Sequence, residues 1–376
     1  MPSTSAGPGA SPAAGALDLA LVGGRVIDGT GAPAVRADVG VRGDRIAAVG
    51  DLSRARAGRV IDARGLTVTP GFIDMHSHSD WRLWANRRAE SKIRQGVTTE
   101  VVGNCGFSPA PVTPEHRDAM PGWALYLPTG MDFSWRSMRE YLRRYEDDGV
   151  AVNVAHLVGH GALRIAAMGF ARREPTAREL ATMERLMDAA MADGACGLST
   201  GLIYAPGSYA RTEEIVAVAR RAGRRGGFYA SHIRGEGATL LEAVREAIRV
   251  GREGGLPVQV SHVKAAGRPH WGRVKDALAL IDAARAEGLD VLGDAYPYIA
   301  SSTSMRTLLP DWVLEGGVDA MLARLADAAT RARLAAELEG GGGIMGRGLA
   351  WDDVMVAFSP SRPEAGGQRL GALASA

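Results

Sequence analysis

The sequence predicts an α/β protein. Its main part is a parallel sheet of the (β/α)8 barrel type, one strand short, and a small region of short strands comes before it. Three observations carry this expectation. From Phe72 onward, short apolar β-like runs alternate with longer amphipathic stretches, which is the texture of parallel βαβ units. Between Asp18 and Val68 the runs are short and punctuated by Gly and Asp, the pattern of a small antiparallel sheet. Several of the later runs end in a histidine or a cysteine, at the end where parallel barrels carry their sites.

Composition bounds the alternatives. The 376 residues are 46% hydrophobic and 23% charged, ordinary for a globular chain and long enough for a barrel with additions. With 44 basic and 42 acidic residues the net charge is +2, so neither nucleic acid nor an anionic membrane is expected as a partner. Two cysteines, Cys105 and Cys196, are too few for a disulfide framework and suit a reducing compartment. No apolar run approaches the roughly 20 residues of a membrane-spanning helix. The expected location is the cytoplasm. The sequence leaves the oligomeric state open.

In chain order, residues 1–16 are rich in Ser, Pro, Ala and Gly. They lack the basic start and apolar core of a signal peptide and read as a disordered leader. Residues 17–68 form the small sheet, with strands at Leu19–Val22, Arg25–Ile27, Val39–Val41, Ile46–Val49 and Arg59–Asp62. Residues 69–376 form the barrel part. Pro70-Gly71 is a turn, and Phe72–Met75 reads as a short buried strand ending in His76-Ser77-His78. Further strands are expected at Thr98–Val102, Ala151–Leu157, Gly197–Ser199, Phe228–Ser231, Pro257–Ser261 and Asp290–Gly293. Helices are expected over Thr176–Asp193, with Thr176 and Glu179 forming a capping box, and over Thr212–Arg221, Thr239–Glu253 and Arg273–Glu287. Residues 301–358 resemble an insertion. Within them Asp311–Leu338 is helical, interrupted at Gly316-Gly317 and ended by the glycine run 340–343, and Asp353–Phe358 reads as a strand.

The chemistry lies at the strand ends. Side chains at i and i+2 share a face of a strand, so His76 and His78 can present two imidazoles to one point. Cys105, His232 and His262 each follow another strand, as do Asp294 and Tyr296. A soft thiolate with imidazoles suits Zn²⁺. Five candidate ligands exceed what one tetrahedral zinc with an open position needs. Either the thiolate bridges two metals, or one metal is held tightly and His76/His78 form a weaker half-site. Such a metal would activate water for hydrolysis at neutral pH. It would still require a general base, and no carboxylate stands in a convincing strand-end position for that role. His156 and His160 have supporting or loop roles in this reading, His116 and His270 lie in loops, and Cys196 is a small core residue.

These residues together resemble the D-aminoacylase (N-acyl-D-amino-acid deacylase) branch of the amidohydrolase superfamily. GFIDMHSHSD is similar to the superfamily's first metal motif, and VVGNCGFSPAP to the branch's cysteine motif. GLSTGLIYAPGSYART, YASHIRGEG, VQVSHVKAAG and DAYPY match in order and spacing. The resemblance implies a metal-dependent hydrolase barrel beside a small β-sandwich. It implies hydrolysis of the amide of an N-acyl-D-amino acid, a small-molecule substrate, to a carboxylate and a D-amino acid. It further implies a tight zinc on Cys105, His232 and His262 and a weaker second site on His76 and His78. Lys264 and Tyr296 would hold a carboxylate, and Tyr204 would line the pocket. Hydantoinase-like or dihydroorotase-like action on cyclic amides is the alternative hydrolytic chemistry. It usually goes with a lysine-bridged metal pair, and Cys105 argues against it. Members of the branch also carry a Ser-Asp-Gly-like motif, whose aspartate is the acid/base, and a later His-Pro-Arg segment. Neither appears here, so the expectation is a truncated chain with an incomplete barrel, no identified catalytic acid/base, and crippled or absent turnover.

Overall fold

The computed structural model describes residues 16–124, 127–128, 130–339 and 350–375. Residues 1–15 of the expected leader (1–16) and the glycine run 340–343 lie outside them. The chain divides into two compact units, one ending at Phe72 and the other spanning Ile73–Ala376.

The first unit is a five-stranded sheet of β1 (Leu17–Val26), β2 (Val35–Arg42), β3 (Arg45–Gly50), β4 (Ala57–Asp62) and β5 (Thr67–Val68). It corrects the sequence reading twice. Gly23-Gly24 does not turn the chain. β1 runs through it with a bulge, its register to β2 shifting between Leu21 and Gly24, because an extra residue is absorbed without leaving the ladder. The sheet is also mixed rather than antiparallel: β1 pairs with β2 antiparallel but with β4 and β5 parallel. Leu17, Ala20 and Leu52 form its small core.

The second unit is built on one curled sheet in simple sequence order. It comprises β6 (Phe72–Asp74), β7 (Val97–Val102), β8 (Asn153–Gly159), β9 (Gly197–Gly201), β10 (Phe228–His232), β11 (Val258–Val260) and β12 (Val291–Gly293). The registers from β7 to β12 are parallel. Every C-terminal strand end therefore faces the same mouth. The sequence order and the parallel pairing are those of a TIM-type barrel sheet.

Helices 177–192, 212–223, 240–254 and 274–286 return the chain between strands. Their sequences explain them. Thr176 caps the first in a full capping box with Glu179. Leu240–Gly254 buries Leu240, Ala243, Val244, Ala247, Ile248 and Gly251 along one stripe, and it ends where Gly255 turns left-handed at φ 68°. Those stripes and the strands between them form the main core, from Leu198 and Tyr229 to Ile281.

Two further expectations fail. Phe72 and Ile73 are 55% and 60% exposed, because β6 is an end strand of the sheet among the described residues. Asp353–Phe358 is not a strand. It starts in a 3-10 turn, and only Met355 bridges, to Arg369. The helical stretch after Asp311 breaks at Gly316-Gly317 and again at Asp327. It yields helices 311–314, 318–326 and 328–339 around Val313, Leu314, Met321 and Leu334. Among the described residues no helix is long and apolar enough to cross a membrane.

Candidate metal centre

The curl of the sheet gathers the strand-end residues. His76 follows β6, Cys105 follows β7, His232 ends β10, and His262 follows β11. His76 Nε2 lies 3.2 Å from Cys105 Sγ, and His262 Nε2 lies 3.8 Å from it on another side. His262 Nε2 is 2.8 Å from His232 Nδ1. Donors sharing one zinc with bonds of about 2.0–2.3 Å sit roughly 3.3–3.8 Å apart, so small ring rotations would bring these atoms onto a common ion. His78 stands further out, its ring centroid 5.7 Å from that of His76.

The backbone at this cluster is strained. Cys105 (φ 55°) and His262 (φ 37°) hold left-handed conformations that side-chain-bearing residues avoid. Gly201 must be glycine beside them, since a Cβ there would lie 1.9 Å from the carbonyl oxygen of Cys105.

Electrostatics prepare the thiol. Burial alone would push the Cys105 thiol up, but the imidazoles of His76, His232 and His262 outweigh burial and hold it well below the ordinary value. In return, burial lowers the His76 pKa while Cys105 and Asp294 raise it, for a net value of about 10. A buried thiolate among imidazoles is the donor set that zinc selects, so the residues present fit the ion.

Two carboxylates that the sequence reading left out of the donor set stand against these histidines. Asp294, just past β12, lies 3.3 Å from His76 Nδ1. Glu236 accepts from Lys264 Nζ and lies 3.1 Å from His262 Nδ1 and 3.7 Å from His232 Nε2. Grouped by donor atoms, the described residues thus offer His76, Cys105 and His262 in one set and His232, Glu236 and His262 in another. In the sequence Asp294 reads as a strand-end residue. For Glu236, the available signal was an acid shortly after a strand-end histidine in SHIRGEG.

The loop bearing His76 and His78 is held from below. Buried Glu100 accepts from Ser77 Oγ (2.8 Å) and Ser79 Oγ (2.7 Å), and Lys92 Nζ lies 3.2 Å from it. Asp80 is fully buried, and burial pushes its carboxyl up to about 7 against the pull of His78.

Around the donors stand the other expected residues. Lys264 Nζ lies 2.8 Å from His262 Nδ1 and 5.5 Å from the Tyr296 ring centroid. Burial and Glu236 push the Tyr296 phenol up to about 12, so it stays a donor at neutral pH. Tyr204 packs its ring edge-on against His232 and Phe107, each at 5.0 Å. It also lines a mostly apolar pocket with Phe107, Trp123, Ile203, Leu314 and Met321.

His156 and His160 belong elsewhere. His156 is buried, with Nδ1 2.7 Å from Leu157 O, and His160 pairs with Glu214 at 2.9 Å. His116 and His270 join no donor group among the described residues. Cys196 packs against a small cluster with Val101 and Leu157, and burial pushes its thiol up to about 12.

A curled parallel sheet with a thiolate–imidazole cluster at its C-terminal mouth defines the class of barrel metallohydrolases. Residues 59–347 match the model of the amidohydrolase family, and the chain belongs to that family. A D-aminoacylase from Alcaligenes xylosoxydans xylosoxydans is 47% identical over 290 residues, which are 77% of this chain and 59% of the relative. An N-acyl-D-glutamate deacylase from the same organism is 41% identical over 359 residues, covering 96% of this chain and 65% of the relative. Among solved structures, the N-acyl-D-glutamate deacylase of Bordetella bronchiseptica was crystallised with zinc and a phosphonate mimic of the tetrahedral intermediate. It superposes with a TM-score of 0.78 at 36% identity, over 96% of this chain and 67% of that one. The chain thus spans 59% and 65% of the length of the two curated relatives.

Proposed function

We propose that the chain acts in zinc-dependent hydrolysis of N-acyl-D-amino acids, releasing a carboxylate and a D-amino acid. The observation that carries the reading is the thiolate of Cys105 set among His76, His232 and His262 at one barrel mouth. Cys105, His232 and His262 hold the tight metal in this reading. His76 and His78 form the second, weaker site, with the Cys105 sulfur within reach of both sets. Bound there, zinc supplies a Lewis acid for the amide carbonyl and lowers the pKa of a water to about 7.

The protein's own groups hold the substrate. Lys264 presents a cation, and Tyr296 a neutral phenol, on the side of His262, the pair suited to a carboxylate. Tyr204 and the apolar walls of the adjoining cavity take the amino-acid side chain or the acyl group and keep water from it. The class of substrate is supported by the relatives, which are deacylases of N-acyl-D-amino acids.

A second reading is a chain that holds zinc without turning substrate over. The engagement of Asp294 and Glu236 with imidazoles and Lys264 favours it, since neither is then available to take the proton of the attacking water. Purified chain assayed for zinc content and for hydrolysis of N-acetyl-D-amino acids against their L-counterparts decides between them. The expected outcome is zinc retention with crippled but D-selective release of amino acid, and loss of both in Cys105→Ala. Zinc without turnover would establish the second reading, and Cys105→Ala holding zinc as the parent does would sink both.

A further inference from the structure

β6 and β12 are the two ends of the seven-strand sheet, with five strands between them. Yet the residues that follow them meet. Asp294 Oδ1 lies 3.3 Å from His76 Nδ1, which leaves Nε2 of the same ring pointing at Cys105 Sγ, 3.2 Å away.

The same carboxylate does two more things. It accepts from the backbone N–H of His262 at 2.7 Å, which fixes the left-handed backbone at that residue. Its other oxygen accepts from Gln259 Nε2 at 2.8 Å, which fixes the carboxylate itself. Asp294 is thus a three-way anchor. It is held by a β11 side chain, and it holds the side chain of one donor and the backbone of a second.

An imidazole ligand binds a metal through one nitrogen, and the partner of the other nitrogen sets tautomer and ring orientation. Glu236 cannot play this part as cleanly for His262, because Lys264 Nζ competes for the same Nδ1 at 2.8 Å. At His76 the described residues show no competing donor.

We infer that Asp294 is the positioning residue of the metal centre, joining the two ends of the open sheet at the mouth and orienting His76 Nε2 toward the Cys105 site. This rests on the proposed reading of His76 as a metal donor. In this role Asp294 does not touch substrate. It selects the Nδ1–H tautomer of His76 and keeps the β6 end over Cys105, where backbone pairing among the described residues leaves β6 an end strand.

Zinc affinity tests the role without reference to turnover. Chelator competition on the full chain separates zinc that His76→Ala weakens from zinc that it leaves unchanged. Asp294→Ala is expected to weaken the His76-dependent zinc about 10–100-fold, the usual range for losing such a partner. Asp294→Asn keeps an acceptor for His76 and for the His262 N–H, and is expected to weaken it less. In both variants the sulfur-to-metal absorption of the cobalt-loaded protein should persist, since Cys105 remains a ligand. The inference is overturned if the His76-dependent zinc keeps parental affinity in Asp294→Ala, or if that variant weakens only zinc that His76→Ala leaves alone. Should Asp294→Ala melt without cooperativity, Asp294→Asn carries the same two outcomes. Failure of the functional reading looks different, because Cys105→Ala would then leave zinc binding unchanged whatever happens at Asp294.

Discussion

His156 shows how one residue can set a pH limit on this fold. It is buried in the middle of β8, its Nδ1–H donates to Leu157 O, and its Nε2 has no partner among the described residues. Burial lowers its pKa from 6.5 to about 4. In the unfolded chain it returns to about 6.5, so protonation favours unfolding. Its contribution is fully present above pH 6.5 and is lost as the pH falls toward 4, for a total of about 3 kcal/mol. His156→Leu is expected to flatten the dependence of urea stability on pH in that window by about one proton, with the two proteins converging in slope above pH 7. Parallel curves through the window would refute the assignment. At this scale the site was partly legible in the sequence. Cys105, His232 and His262 declare themselves by falling at the ends of apolar β-runs, and a strand's period of two links His76 to His78. The structure turns only His76 toward Cys105, because β6 stops at Asp74 and the loop beyond it no longer alternates faces. Glu236 and Asp294 acquire their roles only from the curl, which no local pattern encodes.

Between elements, a buried polar link joins helices 160–168 and 212–223. Glu214 accepts from His160 Nε2 at 2.9 Å and from Arg164 Nη1 at 2.5 Å, and all three side chains are buried. Burial pushes the Glu214 carboxyl up, but His160 and Arg164 outweigh it and the net pKa is lowered. A lowered folded pKa gives stability that is present above the unfolded value of about 4.3 and is lost as the pH falls through the folded one. Glu214→Gln would remove the counter-charge of buried Arg164 and leave it neutral acceptors only, the new amide oxygen and the carbonyls of Ala171 and Arg173, at an expected cost of about 3–5 kcal/mol near neutral pH. Urea denaturation at pH 7 measures it, and a loss below about 1 kcal/mol would mean that water reaches Arg164. The four helices between strands were legible because each carries a capping signal or a repeating apolar stripe. The small sheet was not, because a bulge at Gly23-Gly24 has the composition of a turn, and the parallel pairing of β1 with β4 joins residues about 40 apart. Asp353–Phe358 has strand composition, but its pairing is a single bridge, Met355 to Arg369, flanked by backbone hydrogen bonds at Val354 and Val356, and it does not extend into a ladder.

For the whole unit, the open sheet makes metal a structural matter as well as a chemical one. The donors follow or end β6, β7, β10 and β11, so an ion bound among them ties together strands that are far apart in the sheet order. Among the described residues, β6 and β12 share no backbone ladder, and the mouth is joined there through side chains. A ligand that binds only the folded state stabilises it by RT ln(1 + [L]/Kd), about 4 kcal/mol when zinc stands a thousandfold above Kd. At a few degrees of Tm per kcal/mol for a domain of this size, stripping the metal should lower Tm by on the order of 10 °C, and zinc should restore it. Magnesium should not restore it, because a hard ion gains little from a thiolate. Cys105→Ala is expected to melt at one temperature with or without chelator, near that of the stripped parent. Scanning calorimetry of the four samples checks this directly. A parent whose Tm ignores chelator would show that the sheet holds its curl through packing and the Asp294–His76 contact alone, and that the donors at the mouth are not tied by an ion.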